Sequence, residues 1–292
     1  MPDSISKTVT FTLDGRQVDA GPGETIWQVA ARHGTDIPHL CYRDSNDYRA
    51  DGNCRACMVE IEGERVLAAS CIRTPNEGMV VNSANARAEN ARKMVMELLV
   101  ADQPPRDAAH DPDSDLWHYA ETQDVEASRF PAKHAPAPDS SHPAIAVNMD
   151  ACIQCNLCVR ACREVQVNDV IGLAGRGADA HIVFDFDDDM GASTCVGCGE
   201  CVQACPTGAL MPKRLLDESQ KLAITPDRHV DSVCPYCGVG CQLTFSVKDE
   251  KIVSVSGREG PANKGRLCVK GRYGFDYIEN PERLVAPLIR RE

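Results

Sequence analysis

Sixteen cysteines stand in this 292-residue chain, and they fall into four groups of four with none left over. The first group is Cys41, Cys54, Cys57 and Cys71, and the second is Cys152, Cys155, Cys158 and Cys162. Cys195, Cys198, Cys201 and Cys205 form the third, Cys234, Cys237, Cys241 and Cys268 the last. Scattered thiols would leave strays, so the complete division points to four sets of metal ligands. A disulfide framework fits less well, because the cysteine share falls below the roughly 8 to 10% typical of disulfide-built secreted scaffolds.

The second and third groups repeat one pattern, C-x2-C-x2-C-x3-C, in CIQCNLCVRAC and CVGCGECVQACP. This is the bacterial ferredoxin run, in which three thiolates on one tight loop bind three irons of a 4Fe-4S cube and the fourth crosses to the other cube. On that reading Cys152, Cys155, Cys158 and Cys205 hold one cube, and Cys195, Cys198, Cys201 and Cys162 hold its neighbour. Gly197 and Gly199 leave backbone N–H groups room to approach the sulfides. One run departs from the pattern: Arg163 stands where proline usually follows the last cysteine, which weakens the turn expected there. A structural zinc protein is the competing chemistry, but zinc is usually held by two separated C-x2-C knuckles.

Two Trp and 5% aromatics are few for one large core, so several small units, each pinned by metal, suit the composition better. The formal charge of -12, with DFDDD at Asp185 to Asp189, argues against a nucleic-acid partner, since phosphates repel such a face. MPDSISKTVTFTLDG lacks a basic stretch followed by an apolar one, and no run of about 18 apolar residues follows. A soluble, cytoplasmic chain without a membrane partner is expected.

The elements around the first group follow from periodicity. TVTFTLDGRQVDA alternates Val9, Phe11 and Leu13 on one face and turns at Asp14-Gly15, a β-hairpin signature. ETIWQVAARHG spaces Ile26, Val29 and Ala30 as a helix does, with Gly34 as its stop. Hairpin, helix and then C-x12-C-x2-C-x13-C resemble the β-grasp 2Fe-2S domain at the start of the large iron–sulfur subunit of respiratory NADH dehydrogenase and its relatives. That resemblance implies a 2Fe-2S cluster on Cys41, Cys54, Cys57 and Cys71. His33 and His39 lie nearby as ordinary surface or capping residues.

NSANARAENARKMVMELLVAD reads as a helix capped by Asn82 or Ser83, with an apolar stripe at Met94, Val95, Leu98 and Leu99. In the respiratory relatives this helix leads into a site of one histidine and three cysteines. Here Gln103 stands near the expected histidine and no cysteine follows, so that site is expected to be lost. The stretch to about Ser141 is rich in Pro and Asp without a sustained period, and reads as a long surface connection carrying His110, His118, His134 and His142.

The last group reads C-x2-C-x3-C-x26-C in CPYCGVGC and GRLCVKGRYGFDYI, with strands expected at QLTFSV and KIVSVSG. It resembles the amino-terminal 4Fe-4S module of the molybdopterin-guanine-dinucleotide oxidoreductases. In that family a lysine two residues after the final cysteine lies between cube and pterin, a role the resemblance assigns to Lys270. The order of modules resembles the amino-terminal iron–sulfur portion of the alpha subunit of cytoplasmic, NAD-dependent formate dehydrogenases.

The resemblance implies one 2Fe-2S and three 4Fe-4S clusters, with electrons from formate oxidation passing through them toward NAD. A molybdenum bis-molybdopterin guanine dinucleotide cofactor is implied for the full-length subunit, with no catalytic residue in this segment. It also implies a hetero-oligomer with a flavin- and NAD-binding iron–sulfur subunit and a small 2Fe-2S subunit. The alternative is the iron–sulfur subunit of a complex-I-like NADH dehydrogenase or an iron-only hydrogenase. The expected architecture is α+β and multidomain: a β-grasp 2Fe-2S domain over 1–82, a helix and cysteine-free connection over 83–143, a two-cube ferredoxin-like domain over 144–226, and a small β-rich 4Fe-4S domain over 227–292.

Overall fold

The computed structural model describes residues 8–45, 48–132, 136–284 and 286–291; the first seven residues and His134 lie outside them. β1 (Val9–Leu13) and β2 (Arg16–Ala20) pair antiparallel across Asp14 and Gly15, whose φ values of 45° and 78° are what a two-residue hairpin turn demands. β1 also pairs in parallel with β5 (Val80–Asn82), which continues antiparallel to β3 (Met58–Ile61) and then β4 (Ala68–Ala69). The resulting sheet, ordered β2-β1-β5-β3-β4, is crossed by α1 (Ile26–Arg32).

Helix α1 starts where the Thr25 and Gln28 side chains cap each other's backbone N–H groups. It stops at Gly34, φ 77°, with Thr35 N–H bonded to the Ala30 carbonyl and Gly34 N–H to that of Ala31. Phe11, Leu13, Ile26, Val29, Val59 and Val81 close the core between sheet and helix. Each such side chain contributes about 1.5–3 kcal/mol on burial.

The second helix departs from its expected face. α2 (Ala86–Val100) is capped by Asn85, which accepts from Ala88 N–H, and it buries Ala88, Arg92, Met96 and Val100. Met94 and Leu98 are exposed, while Val95 and Leu99 sit half-buried beside the stripe. The reason is Arg92, whose Nη1 donates to the Met58 and Ser83 carbonyls; a buried arginine with backbone partners is invisible to an apolar-periodicity count.

The following segment is more ordered than a surface connection. α3 (Asp115–Thr122) buries Leu116, Trp117, Tyr119 and Ala120 against Leu40, Ala56, Met96 and Val100. His110 is buried with its ring between the Gln220 carbonyl and the Asp150 carboxylate, and His142 is buried with Nδ1 accepting from Ala144 and Ile145 N–H. His118 stays exposed.

β6 (Ile145–Val147) and β9 (Leu210–Pro212) pair antiparallel and close the next unit, which also holds the hairpin β7 (Ile171–Ala174) and β8 (His181–Phe184). Two short helices, α4 (Leu157–Arg160) and α5 (Glu200–Ala204), occupy equivalent places in the two cysteine runs. Their ends differ. Pro206 follows Cys205 and helix α5 stops, whereas Arg163 keeps its N–H and the chain winds on as a π turn over Ala161–Val165, with Gln166 N–H reaching the Ala161 carbonyl.

The last unit is an antiparallel sheet of β10 (Arg228–Val233), β11 (Gln242–Lys248) and β12 (Lys251–Gly257), with α6 (Val269–Tyr273) packed on β12. β11 and β12 coincide with the two expected strands.

Candidate metal centres

Three of the first four thiols stand in the loop between α1 and β3, and Cys71 stands in the turn that follows β4. Cys41, Cys57 and Cys71 are buried, and Cys54 is half-buried. Hydrogen bonds from Cys54 and Cys71 hold the Cys41 thiol low, and the Cys71 bond does the same for Cys57. The same bonds push Cys54 and Cys71 up, so two sulfurs act as donors and two as acceptors. Cys54 N–H also points at Cys41 Sγ, 3.4 Å away.

In the ferredoxin-like unit the two runs share backbone conformation at corresponding positions. Gln154 and Gly197 have φ of 52° and 66°, Asn156 and Gly199 of 61° and 70°. These left-handed steps curl each loop so that a backbone N–H faces the first sulfur: Gln154 N–H to Cys152 Sγ and Gly197 N–H to Cys195 Sγ, both at 3.4 Å. Two of the four left-handed positions carry no glycine: Gln154 and Asn156 adopt in the first run the conformation that Gly197 and Gly199 adopt in the second. At Gly199 a side chain would also collide with Arg272 and Tyr273.

Charge on thiols of one run reaches those of the other. Burial pushes Cys155 and Cys158 up, and charge on Cys205 adds to both. Burial likewise raises Cys195, Cys198 and Cys201, each with Cys162 among the charges acting on it. A small recess of about 20 Å³ is lined by Cys162, Cys195, Cys198 and Cys201 together with Asn168 and Val170. Val170 N–H donates to Cys162 Sγ at 3.3 Å.

The last set is more open. Cys234 follows β10, Cys241 precedes β11, and Cys268 caps α6; Cys237 and Cys268 are exposed. Cys241 is raised by burial and then by charge on Cys234, Cys237 and Cys268, so the other three sulfurs lie within electrostatic reach of Cys241. Lys270 is exposed on α6, two residues beyond Cys268. Among the described residues no group of His, Cys, Asp and Glu is arranged to hold a single metal ion.

Soft thiolates suit zinc and iron–sulfur clusters, and N–H donors beside sulfur are what tune a cluster. Metals are ligated by thiolates, so binding at the thiols that burial holds protonated would release protons.

The units also dock through charged groups that sequence reasoning missed. Tyr48 donates to Glu200 Oε1 at 2.9 Å, and Arg272 pairs with Glu200 Oε2 at 3.3 Å, joining the first unit, the ferredoxin-like unit and the last. Gln103, near the position of the missing histidine, donates to the Ala151 carbonyl at 3.2 Å.

Three family models match successive stretches: a 2Fe-2S iron-sulfur cluster binding domain over residues 6–86, a 4Fe-4S dicluster domain over 151–209, and a molybdopterin oxidoreductase Fe4S4 domain over 227–280. These define the class by its domains: a chain that carries 2Fe-2S, dicluster 4Fe-4S and molybdopterin-family Fe4S4 domains in succession.

Within that class, an NADH-quinone oxidoreductase subunit of Rhizobium meliloti is 35% identical over 97% of this chain and 33% of its own length. The NADPH-Fe(3+) oxidoreductase subunit alpha of Geobacter sulfurreducens is 31% identical, again over 97% of this chain and 33% of its own. A provisionally named formate dehydrogenase of Staphylococcus haemolyticus is 26% identical over 99% and 33%. The chain thus spans about a third of the length of the curated relatives it matches. Among solved structures, a chain of an NAD+-reducing [NiFe]-hydrogenase in the H2-reduced state superposes with a TM-score of 0.62 at 28% identity, covering 70% of this chain and 87% of the other. Among the described residues no helix is long and apolar enough to cross a membrane.

Proposed function

We propose that this segment carries electrons within a cytoplasmic, NAD-dependent, molybdenum-type formate dehydrogenase, as the iron–sulfur portion of its alpha subunit. The observation that carries the reading is the succession of a 2Fe-2S, a dicluster and a molybdopterin-family Fe4S4 domain in one chain. Lys270 on α6 and the formate dehydrogenase relative add to it.

Cys41, Cys54, Cys57 and Cys71 would hold the 2Fe-2S cluster. Cys152, Cys155, Cys158 and Cys205 would hold one cube, Cys195, Cys198, Cys201 and Cys162 the second, and Cys234, Cys237, Cys241 and Cys268 the third. Bound clusters supply one-electron carriage, with potentials set by ligands, hydrogen bonds and burial. The protein's part is to exclude water from the first three sets, to aim N–H groups at sulfur, and to dock the units through Tyr48, Glu200 and Arg272. Lys270 would place a cation between the last cube and a pterin of the longer protein. Partners would be a flavin- and NAD-binding subunit and a small 2Fe-2S subunit.

Formate-dependent reduction of NAD⁺ by the longer gene product tests this reading, and its absence with an intact cofactor would overturn it. The 292-residue chain alone should bind iron yet oxidise no formate. The second reading, a complex-I-like or hydrogenase iron–sulfur subunit, draws on the NADH-quinone oxidoreductase relative and the hydrogenase neighbour. NADH-driven reduction of the clusters without formate activity would favour it.

A further inference from the structure

Arg160 lies two residues beyond Cys158, and its side chain is 2% exposed. Nη2 donates to the Cys41 carbonyl at 2.7 Å and to the Cys155 carbonyl at 3.4 Å. Nη1 donates to the Arg49 carbonyl at 3.0 Å and pairs with Asp51 Oδ2 at 2.9 Å. Its Nε–H is buried without a partner among the described residues. One guanidinium therefore spans the backbone of a thiol in the first set and a thiol in the second. Cys41 and Cys155 also belong to one apolar cluster, with Cys54 packed against it.

Taking a guanidinium out of water is costly, and its attraction to a partner offsets that cost only where geometry is good. Asp51 is the paired carboxylate, yet it is shared with Arg49, which contacts it at 2.6 Å. A positive charge held at such cost stabilises whatever gains negative charge beside it, and a centre that accepts an electron gains one.

We propose that Arg160 is a positioning residue that ties the first cysteine set to the second, fixing the separation of the two centres and raising the reduction potential of both. The proposal rests on the ligand assignment made above. The step it serves moves one electron: one centre is oxidised, the other reduced, and no bond is made or broken. The rigid fork fixes distance, since both carbonyls must meet the same planar group, and the charge sets potential.

EPR-monitored redox titration of the full chain tests it. Arg160→Met should lower the potentials of the 2Fe-2S centre and the Cys152 cube together. The reduced-to-oxidised ratio at a fixed poise should fall about tenfold, equivalent to about 59 mV for a one-electron couple. Arg160→Lys should recover most of that shift, since it restores the charge. Asp51→Asn should move both potentials upward, a sign reversal that a purely structural role would not produce. The centre on Cys234, Cys237, Cys241 and Cys268 should move in none of them.

Unchanged potentials, shifts of one sign in the methionine and asparagine variants, or an equal shift at the last centre would overturn the proposal. If Arg160→Met assembles no clusters, the lysine and asparagine variants decide by the same criteria. A parent protein without these EPR signals refutes the ligand assignment and the proposal with it. Full parent signals that no variant moves refute the proposal alone.

Discussion

The ferredoxin-like unit and the carboxy-terminal module each present thiols in close runs, yet they treat them differently. In the former, Cys155, Cys158, Cys162 and Cys201 are buried in the unit's interior, and each run lends its last thiol to the neighbourhood of the other. In the latter, Cys237 and Cys268 are exposed and only Cys234 and Cys241 pack on the small core of Leu243, Val255, Leu267 and Phe275. One unit has made its thiols part of its core, while the other keeps them at an edge. Removing a ligand should damage the fold in the first and only the site in the second.

Cys162→Ser puts the largest strain on that contrast. It should abolish the EPR signal of the cube assigned to Cys195, Cys198 and Cys201, remove up to about four of about fourteen irons per chain, and lower the thermal midpoint. Cys268→Ser should cost a similar amount of iron and leave the ferredoxin-like unit's melting unchanged. Loss of the Cys152 cube's signal in the Cys162 variant would break the interleaved assignment.

Chelation sharpens the same comparison without mutation. When the oxidised protein is held in excess chelator, iron should leave the carboxy-terminal set first, followed by EPR over time, because Cys237 and Cys268 meet solvent. Simultaneous loss from all sites would show that burial does not govern access.

The two regions meet at Glu200 and Arg272, whose side chains are 5% and 4% exposed. Arg272→Met leaves Glu200 buried with Tyr48 as its one remaining side-chain partner among the described residues, a change that should cost about 3–5 kcal/mol in denaturant unfolding. A loss below about 1 kcal/mol, the worth of a surface pair, would mean that the units are not coupled through this contact.

The smallest effect concerns acid. Burial holds His142 below its usual 6.5, with Asp139 opposing and Lys213 reinforcing, and its Nδ1 accepts two backbone N–H groups only while unprotonated. A depressed folded value means that the unfolded chain binds the proton more readily. Stability should therefore fall as pH drops below about 6.5 and be fully present above it. His142→Asn, which keeps an acceptor but does not titrate there, should flatten that slope in the thermal midpoint of the ferredoxin-like unit. An unchanged slope would remove His142 from the account.

Much of this was legible in the residues. Asp14-Gly15, the spacing of Ile26, Val29 and Ala30, Gly34 and the strands β11 and β12 depend on a few positions each, so local rules place them. The division of the thiols is likewise a matter of spacing. The face of α2 and the fate of residues 101–132 were not legible, because Arg92 and Trp117 are buried by partners far along the chain.

By itself the sequence determined the donor type, the grouping into four sets and the repeat of one loop, since a tight loop needs its thiols at short, countable intervals. Tertiary structure alone decided which charges lie inside. Arg160 reaches Cys41 across 119 positions, and Glu200 meets Tyr48 across 152. A buried ion is tolerable only where distant chain supplies its counter-charge and acceptors, and no spacing rule records where folding will bring them.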